Sequence, residues 1–305
     1  MRYGFIGLGN LGAHLAAGLR RGGFDLTVHD LHRQAAEPLL DLGAHWAETP
    51  RAVAQGADAV FTCLPSPAVS ERVLTGEDGL IAGFAPGAAW IEMSTNDQEA
   101  ILRLAALAAE RGVATLEAPV TGGVHKAASG EITVIVGGDE HVFAKHQRAL
   151  GAMGGAVFHV GPLGSASVIK VITNMLAFIH LVAAGEALML AKRGGLDLAQ
   201  AFHVIKASSG NSFVHETESQ LVLNGSYAIN FTMDLACKDL GFAMALGREY
   251  GVPLDLAGLT AQTFIRARET FGGGAWSTMV VKLLEDALHT DLRAAGFPAR
   301  LEAER

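Results

Sequence analysis

Apolar residues follow two different rhythms along this chain. Over the first half they come as short runs that alternate with stretches of helical spacing. Residues 3–6 form such a run and end at Gly7; 13–21 have helical spacing; 26–29 form a second run. Together these predict one strand–helix–strand unit of about 30 residues. The runs 59–63 and 88–93 predict further strands, with Pro65 ending the first and a helix from about Gln98 to Arg111 following the second. Runs 113–117 and 132–136 predict two more, and 141–153 a helix. Strands alternating with helices of this length predict a parallel, doubly wound α/β sheet over roughly residues 1–162. Past Gly161-Pro162 strand-like runs become scarce. Helical spacing covers 167–193, 197–207, 234–250, 256–270 and 279–288, with breaks at Gly194-Gly195, Ser208–Asn211 and Gly272–Gly274. Residues 163–305 are therefore expected to be all-helical, beginning with a long interdomain helix at about 165–193. At 1.5 Å per residue that helix would be about 40 Å long.

Composition narrows the reading. The chain has 305 residues, half of them hydrophobic and 18% charged, which suits two cored domains and excludes wholesale disorder. A net charge of −8 argues against a nucleic-acid footprint and for a small-molecule ligand. Two cysteines, Cys63 and Cys237, make no disulfide framework, and no cysteine–histidine spacing suits a metal. A reduced, cytoplasmic setting is expected. The first apolar run turns into a glycine loop at Gly7, too early for a secretory leader. Residues 171–191 have the length of a membrane span. Asn174, His180 and Glu186 interrupt the stretch and Lys170 flanks it, so it is read as a buried interdomain helix, with no membrane partner.

Gly7-Leu8-Gly9-Asn10-Leu11-Gly12 lies between a strand and a helix, the setting in which GxGxxG binds a dinucleotide. The first glycine permits the turn, the second admits the pyrophosphate, and the third lets helix and strand pack closely. Asp30 follows the next strand, where a carboxylate accepts hydrogen bonds from ribose hydroxyls and repels a 2′-phosphate. This predicts NAD rather than NADP, although His32 and Arg33 just downstream offer a phosphate alternative. Leu64-Pro65 and Ser94-Thr95 leave strands at their carboxyl ends, where doubly wound folds bind ligands. Thr121-Gly122-Gly123 offers a hydroxyl and exposed N–H groups to an anion. Lys170 and Asn174 are four residues apart on one face of the long helix. A lysine on an otherwise apolar face is disfavoured as an ammonium and suits proton transfer, and an asparagine there can fix a substrate group. Lys238-Asp239, taken alone, reads as a solvated pair.

In this order, these segments resemble the β-hydroxyacid dehydrogenase family, which includes 3-hydroxyisobutyrate dehydrogenase. The likeness rests on 5–12, on Ala118–Gly123, on Gly164 through Lys170 to Asn174, and on Lys238-Asp239-Leu240. The resemblance implies a Rossmann domain joined to a helical domain by a long helix. It implies hydride transfer between a nicotinamide cofactor and the hydroxyl carbon of a 3-hydroxy acid. Lys170 would be the catalytic acid/base, and Thr121, Gly122 and Gly123 would bind the substrate carboxylate with help from Asn174. Leu64, Pro65 and Thr95 would contact the dinucleotide, and Lys238 would reach it across the domain cleft. A homodimer or homotetramer built through the helical domain is also implied. Thr121 stands where the family usually has serine, His125 where a small residue is common, and Phe213 where tryptophan is frequent. His125 and Phe213 are therefore expected to shape the substrate pocket. The alternatives are an NADPH-dependent semialdehyde reductase and a dinucleotide-binding protein without catalysis; an imine reductase usually has another residue at the lysine position.

Overall fold

The computed structural model describes residues 1–301. In chain order the elements are β1 (Arg2–Ile6), α1 (Gly12–Arg21), β2 (Asp25–His29), α2 (Glu37–Asp41), β3 (His45–Trp46), α3 (Pro50–Ala54), β4 (Ala59–Thr62), α4 (Pro67–Thr75), β5 (Ala89–Glu92), α5 (Gln98–Ala109), β6 (Ala114–Glu117), β7 (Val120–Thr121), α6 (Val124–Ser129), β8 (Thr133–Gly138), α7 (Glu140–Met153) and β9 (Ala156–Gly161). Helices follow: α8 (Ser165–Arg193), α9 (Leu198–Lys206), α10 (Phe213–Asn224), α11 (Met233–Glu249), α12 (Asp255–Phe271) and α13 (Lys282–Ala287). The chain divides into two compact units, Met1–Lys170 and the described residues from Val171 onward, with the division inside α8.

The first unit is a doubly wound sheet of order β3-β2-β1-β4-β5-β6-β8-β7, with β9 pairing β8. Strands β3 to β6 along this order are parallel. Fully buried runs such as AVFT in β4 and AWIE in β5 are what a sheet covered on both faces requires. The expectation of a wholly parallel sheet needs correction at one edge. Strand β8 pairs antiparallel with both β6 and β7. Between β6 and β8 lie only the two-residue strand β7 and the six-residue helix α6, too little for a parallel crossover over the sheet. Two apolar clusters lie in this unit, one around Phe5, Leu15, Leu26 and Phe61, the other around Val60, Trp90 and Leu104. The second unit is helical and has its own core around Phe178, Leu223, Met233 and Phe264.

Helix α8 is long and apolar enough to cross a membrane by length and composition, the one described helix that is. The sequence reads it as a buried helix. Instead Ile172, Leu176 and Leu190 are exposed, while Lys170, Val171, Leu181 and Leu188 are buried. The largely apolar composition of the stretch conceals a helix with one covered side.

One buried histidine gives the first unit a pH dependence. His146 in α7 has no exposed surface, and its Nδ1 lies 3.2 Å from the Tyr3 hydroxyl. Burial, and then the neighbouring Lys145 charge, lower its pKa from 6.5 to about 4. The folded protein therefore keeps this ring neutral while the unfolded chain takes up a proton as the pH falls below 6.5. The stability it contributes is complete above that value and drains away toward pH 4. Replacing His146 with Phe should shrink the stability gap between wild type and variant by about 2 kcal/mol between pH 7.5 and pH 4.5. Urea unfolding at the two pH values measures this, and an unchanged gap would show that the ring does not titrate against burial.

Candidate active site

The glycine loop opens at the end of β1. Gly7 has φ +94°, a conformation that side chains rarely adopt, and a Cβ there would stand 2.2 Å from the Cys63 carbonyl oxygen. A Cβ on Gly12 would stand 1.9 Å from the Gly7 carbonyl oxygen. These two glycines are needed by the protein's own packing. Gly9 is different: nothing lies within 4 Å of where its Cβ would be, and the residue is exposed. The space over it is open at the N-terminus of α1, beside N–H groups suited to a phosphate.

Asp30, at the end of β2, faces this loop. Its Oδ2 accepts from the Leu8 N–H at 2.7 Å, and its Oδ1 accepts from the His32 N–H at 2.9 Å. Each carboxylate oxygen has two lone pairs, so both can accept a further hydrogen bond. Arg33 is engaged elsewhere, 3.3 Å from Glu48 and over the ring of Trp46.

The loops after β4 and β5 are tied to each other and to the glycine loop. The Leu64 N–H donates to Ser94 Oγ at 2.7 Å, and a Cβ on Gly7 would come within 3.1 Å of the Leu64 side chain. Gly7, Leu8, Asp30, Leu64 and the residue preceding Thr95 are thus brought together. Pro65 is exposed beside them. Asn96, next to Thr95, is 2% exposed, and neither polar atom of its side chain has a hydrogen-bond partner among the described residues. A buried amide in that state fits a site that receives a polar ligand. The residues present therefore suit a dinucleotide. Cys63 is not a nucleophile candidate: burial, and then the Glu92 carboxylate, push its thiol up to about 12.

Thr121 ends β7, and Gly122 and Gly123 follow at φ +125° and +89°. Both glycines are required by the backbone, and they leave the turn into α6 without side chains. The His125 ring stands over Gly123, where a Cβ would meet it at 3.1 Å. Lys170 lies in the second turn of α8 and is 7% exposed. In the second unit the Asn174 side-chain amide donates to Asp239 Oδ2 at 2.6 Å, and Lys238 Nζ lies 2.9 Å from Asp239 Oδ1. Asp239 is 1% exposed. The reading of Lys238-Asp239 as a solvated pair is therefore wrong: this carboxylate joins two of the predicted site residues. Helical spacing held the signal, since Asp239 falls on the buried stripe of Met233, Ala236, Leu240 and Ala243. Phe213 opens α10 after the Ser212 cap and is half exposed. Among the described residues no acidic, cysteine and histidine side chains gather into a metal site.

A doubly wound sheet with this loop, this acid after β2 and open carboxyl-end loops defines a dinucleotide-binding protein. Comparison narrows the class. Residues 2–161 match the NAD binding domain of 6-phosphogluconate dehydrogenase, and 164–284 match the NAD-binding domain of NADP-dependent 3-hydroxyisobutyrate dehydrogenase. The chain is 33% identical over 286 residues to 2-(hydroxymethyl)glutarate dehydrogenase of Eubacterium barkeri, which covers 93% of this chain and 95% of that one. It is 35% identical to 3-hydroxyisobutyrate dehydrogenase of Pseudomonas aeruginosa, over 85% of this chain and 90% of that one. A crystal structure of 3-hydroxyisobutyrate dehydrogenase from Salmonella typhimurium matches with a TM-score of 0.86 at 32% identity, covering 93% of this chain and 99% of that one. The chain belongs to the β-hydroxyacid dehydrogenase family and is an oxidoreductase acting on the hydroxyl group of hydroxy acids.

Proposed function

We propose that this protein oxidises a 3-hydroxy acid such as 3-hydroxyisobutyrate to its semialdehyde, reversibly, and that it prefers NAD. The observation that carries the reading is the buried Lys170 on α8, in the same compact unit as the Thr121–Gly122–Gly123 turn. The bound cofactor supplies the hydride acceptor. The Thr121 hydroxyl and the N–H groups of Gly122 and Gly123 hold the substrate carboxylate. In oxidation Lys170 Nζ takes the hydroxyl proton; in reduction it returns a proton to the same oxygen. The relatives named above act on different hydroxy acids, each a carboxylate bearing a hydroxyl. His125, leaning over Gly123, is the residue that shapes the substituent end of this pocket.

Preference for NAD rests on Asp30. Its carboxylate, fixed by Leu8 and His32, meets ribose hydroxyls as an acceptor and a 2′-phosphate as a like charge. A spectrophotometric screen of 3-hydroxy acids and semialdehydes, run with NAD(H) and NADP(H), tests both parts. The expected result is turnover of a 3-hydroxy acid with kcat/KM at least about tenfold higher for NAD. In Asp30→Ser that ratio should fall toward unity. A tenfold preference for NADP in the wild type would overturn the cofactor assignment, and binding without turnover across the panel would overturn the reaction.

A further inference from the structure

Glu117 is a buried acid that the proposed reaction does not use. It ends β6, is 1% exposed, and lies four residues before Thr121. Its Oε1 accepts from the Ala166 N–H at 2.8 Å, and its Oε2 accepts from the Ser167 N–H at 2.9 Å and from the Ser167 hydroxyl. Those donors form the first turn of α8, and Lys170 follows Ser167 by three residues, on the same face.

This capping differs from the local caps found on seven other helices. Helices α3, α4, α5, α7, α9, α10 and α11 are capped by the side chain of their own Ncap residue, a serine, threonine or aspartate. Such a local cap suffices to satisfy the end of a helix. Helix α8 is preceded by Gly164, which has no side chain to offer; a Cβ there would stand 2.9 Å from Gln98. Its free N–H groups are met by an acid from about 50 residues earlier in the chain. The remaining early donors are accounted for, Ser165 N–H to the Pro162 carbonyl and Val168 N–H to the Gly164 carbonyl.

The surroundings are shaped to admit the carboxylate. Glu117 pairs with Gly137 across the sheet, and a Cβ on Gly137 would stand 2.3 Å from Glu117 Oε1 and 3.1 Å from the Ala166 nitrogen. The strand is held on both sides of the acid. Ala118 N–H donates to the Glu92 carbonyl at 2.6 Å, Ile135 N–H donates to the Pro119 carbonyl at 2.9 Å, and Thr121 pairs with Thr133. One rigid segment thus carries the turn at Thr121–Gly123 at one end and the anchor of α8 at the other. Burial pushes the Glu117 carboxyl up, against the hydrogen bonds from Ser167 and Ala166. A carboxylate at a helix N-terminus also gains from the helix dipole.

We infer that Glu117 is a positioning residue: it sets the distance between the substrate-carboxylate turn at Thr121–Gly123 and the amine of Lys170, acting through the first turn of α8. The inference rests on the proton-transfer role proposed for Lys170. An error of about 1 Å between a held substrate and its acid/base group costs on the order of 100-fold in rate. The Gln variant keeps the size of the side chain but puts an NH2 group against one of the backbone N–H donors.

The experiment measures wild type, Glu117→Gln, Lys170→Ala and the double variant, with the best substrate from the screen above. Glu117→Gln should lower kcat about 30-fold, change KM less than about threefold, and leave the NAD dissociation constant within about twofold. Because Glu117 acts through Lys170, adding Glu117→Gln to Lys170→Ala should cost little more, whereas a purely structural loss would multiply. Should Glu117→Gln fail to fold, Ser167→Ala removes one donor to the same carboxylate and should lower kcat about threefold to tenfold at unchanged NAD affinity. Normal kcat in Glu117→Gln or in Ser167→Ala, or a multiplicative double variant, overturns the inference. Normal turnover in Lys170→Ala alone would instead refute the role of the lysine.

Discussion

Replacing Lys170 with alanine should lower kcat by about 10² to 10⁴-fold, the usual contribution of a positioned proton-transfer group, while NAD binds as tightly as before. The two outcomes separate because the residues suited to the dinucleotide lie elsewhere. The glycine loop is held by its own contacts to Cys63, and Leu8 is fixed by Asp30. Neither arrangement involves Lys170. Lys170→Arg sharpens the test. Arginine keeps a positive charge but does not deprotonate in proteins. If the amine works by accepting the hydroxyl proton, Lys170→Arg should be nearly as slow in oxidation as Lys170→Ala. If only positive charge is needed, arginine should restore much of the rate. Steady-state kinetics with a fluorescence titration of NAD distinguishes these cases. Near-normal turnover in Lys170→Ala would remove the residue from the mechanism.

The features that sequence made visible are those whose cause is local. In the GxGxxG loop Gly12 is required by a near neighbour, the Gly7 carbonyl. The strands β1, β2, β4, β5 and β6 are short apolar runs because both faces of the central sheet are covered, and the long α8 follows from an unbroken helical stretch. What could not be read depends on distant partners. Strand β9 pairs with β8 alone and exposes Phe158, so it has no clear apolar alternation. Helix α10 buries His215 and Ser219 along with the consecutive Leu221, Val222 and Leu223. Polar residues on the covered side and apolar residues on three successive positions blur a period of 3.6. The His215 ring is satisfied by the Phe202 carbonyl at 3.0 Å, a contact that no spacing announces.

The same division applies to the site. Thr121–Gly123, Lys170 and Asn174 stand out because a glycine turn and a lysine on an apolar helix are unusual in themselves. Glu117 and Asp239 do not. Each is an acid beside an ordinary neighbour, and each acquires meaning only through partners about 50 and 65 residues away. Unpaired buried carboxylates are costly, so a charged residue closing an apolar strand or lying on a buried helical stripe is itself a sign that donors converge on it. That rule points to the presence of partners, although not to their identity.

A contrast between two glycines of one loop tests the cofactor site most directly. Gly9→Ala should leave thermal stability within about 2 °C of wild type yet weaken NAD binding by about 30-fold or more. Its backbone is not in the left-handed region, and a Cβ there meets no protein atom within 4 Å. The folded protein can therefore accept alanine, and the added methyl group can collide only with what enters the open space. Gly12→Ala should behave otherwise. Its Cβ would stand 1.9 Å from the Gly7 carbonyl oxygen and 3.3 Å from the Phe5 ring, so α1 must move away from β1. Both stability and NAD affinity should fall, with a loss of stability of about 1–3 kcal/mol from overpacking. Thermal unfolding and NAD titration on the same two variants read both quantities. If Gly9→Ala bound NAD normally, the space above Gly9 would not be where the pyrophosphate lies, and the loop would serve only to join β1 to α1.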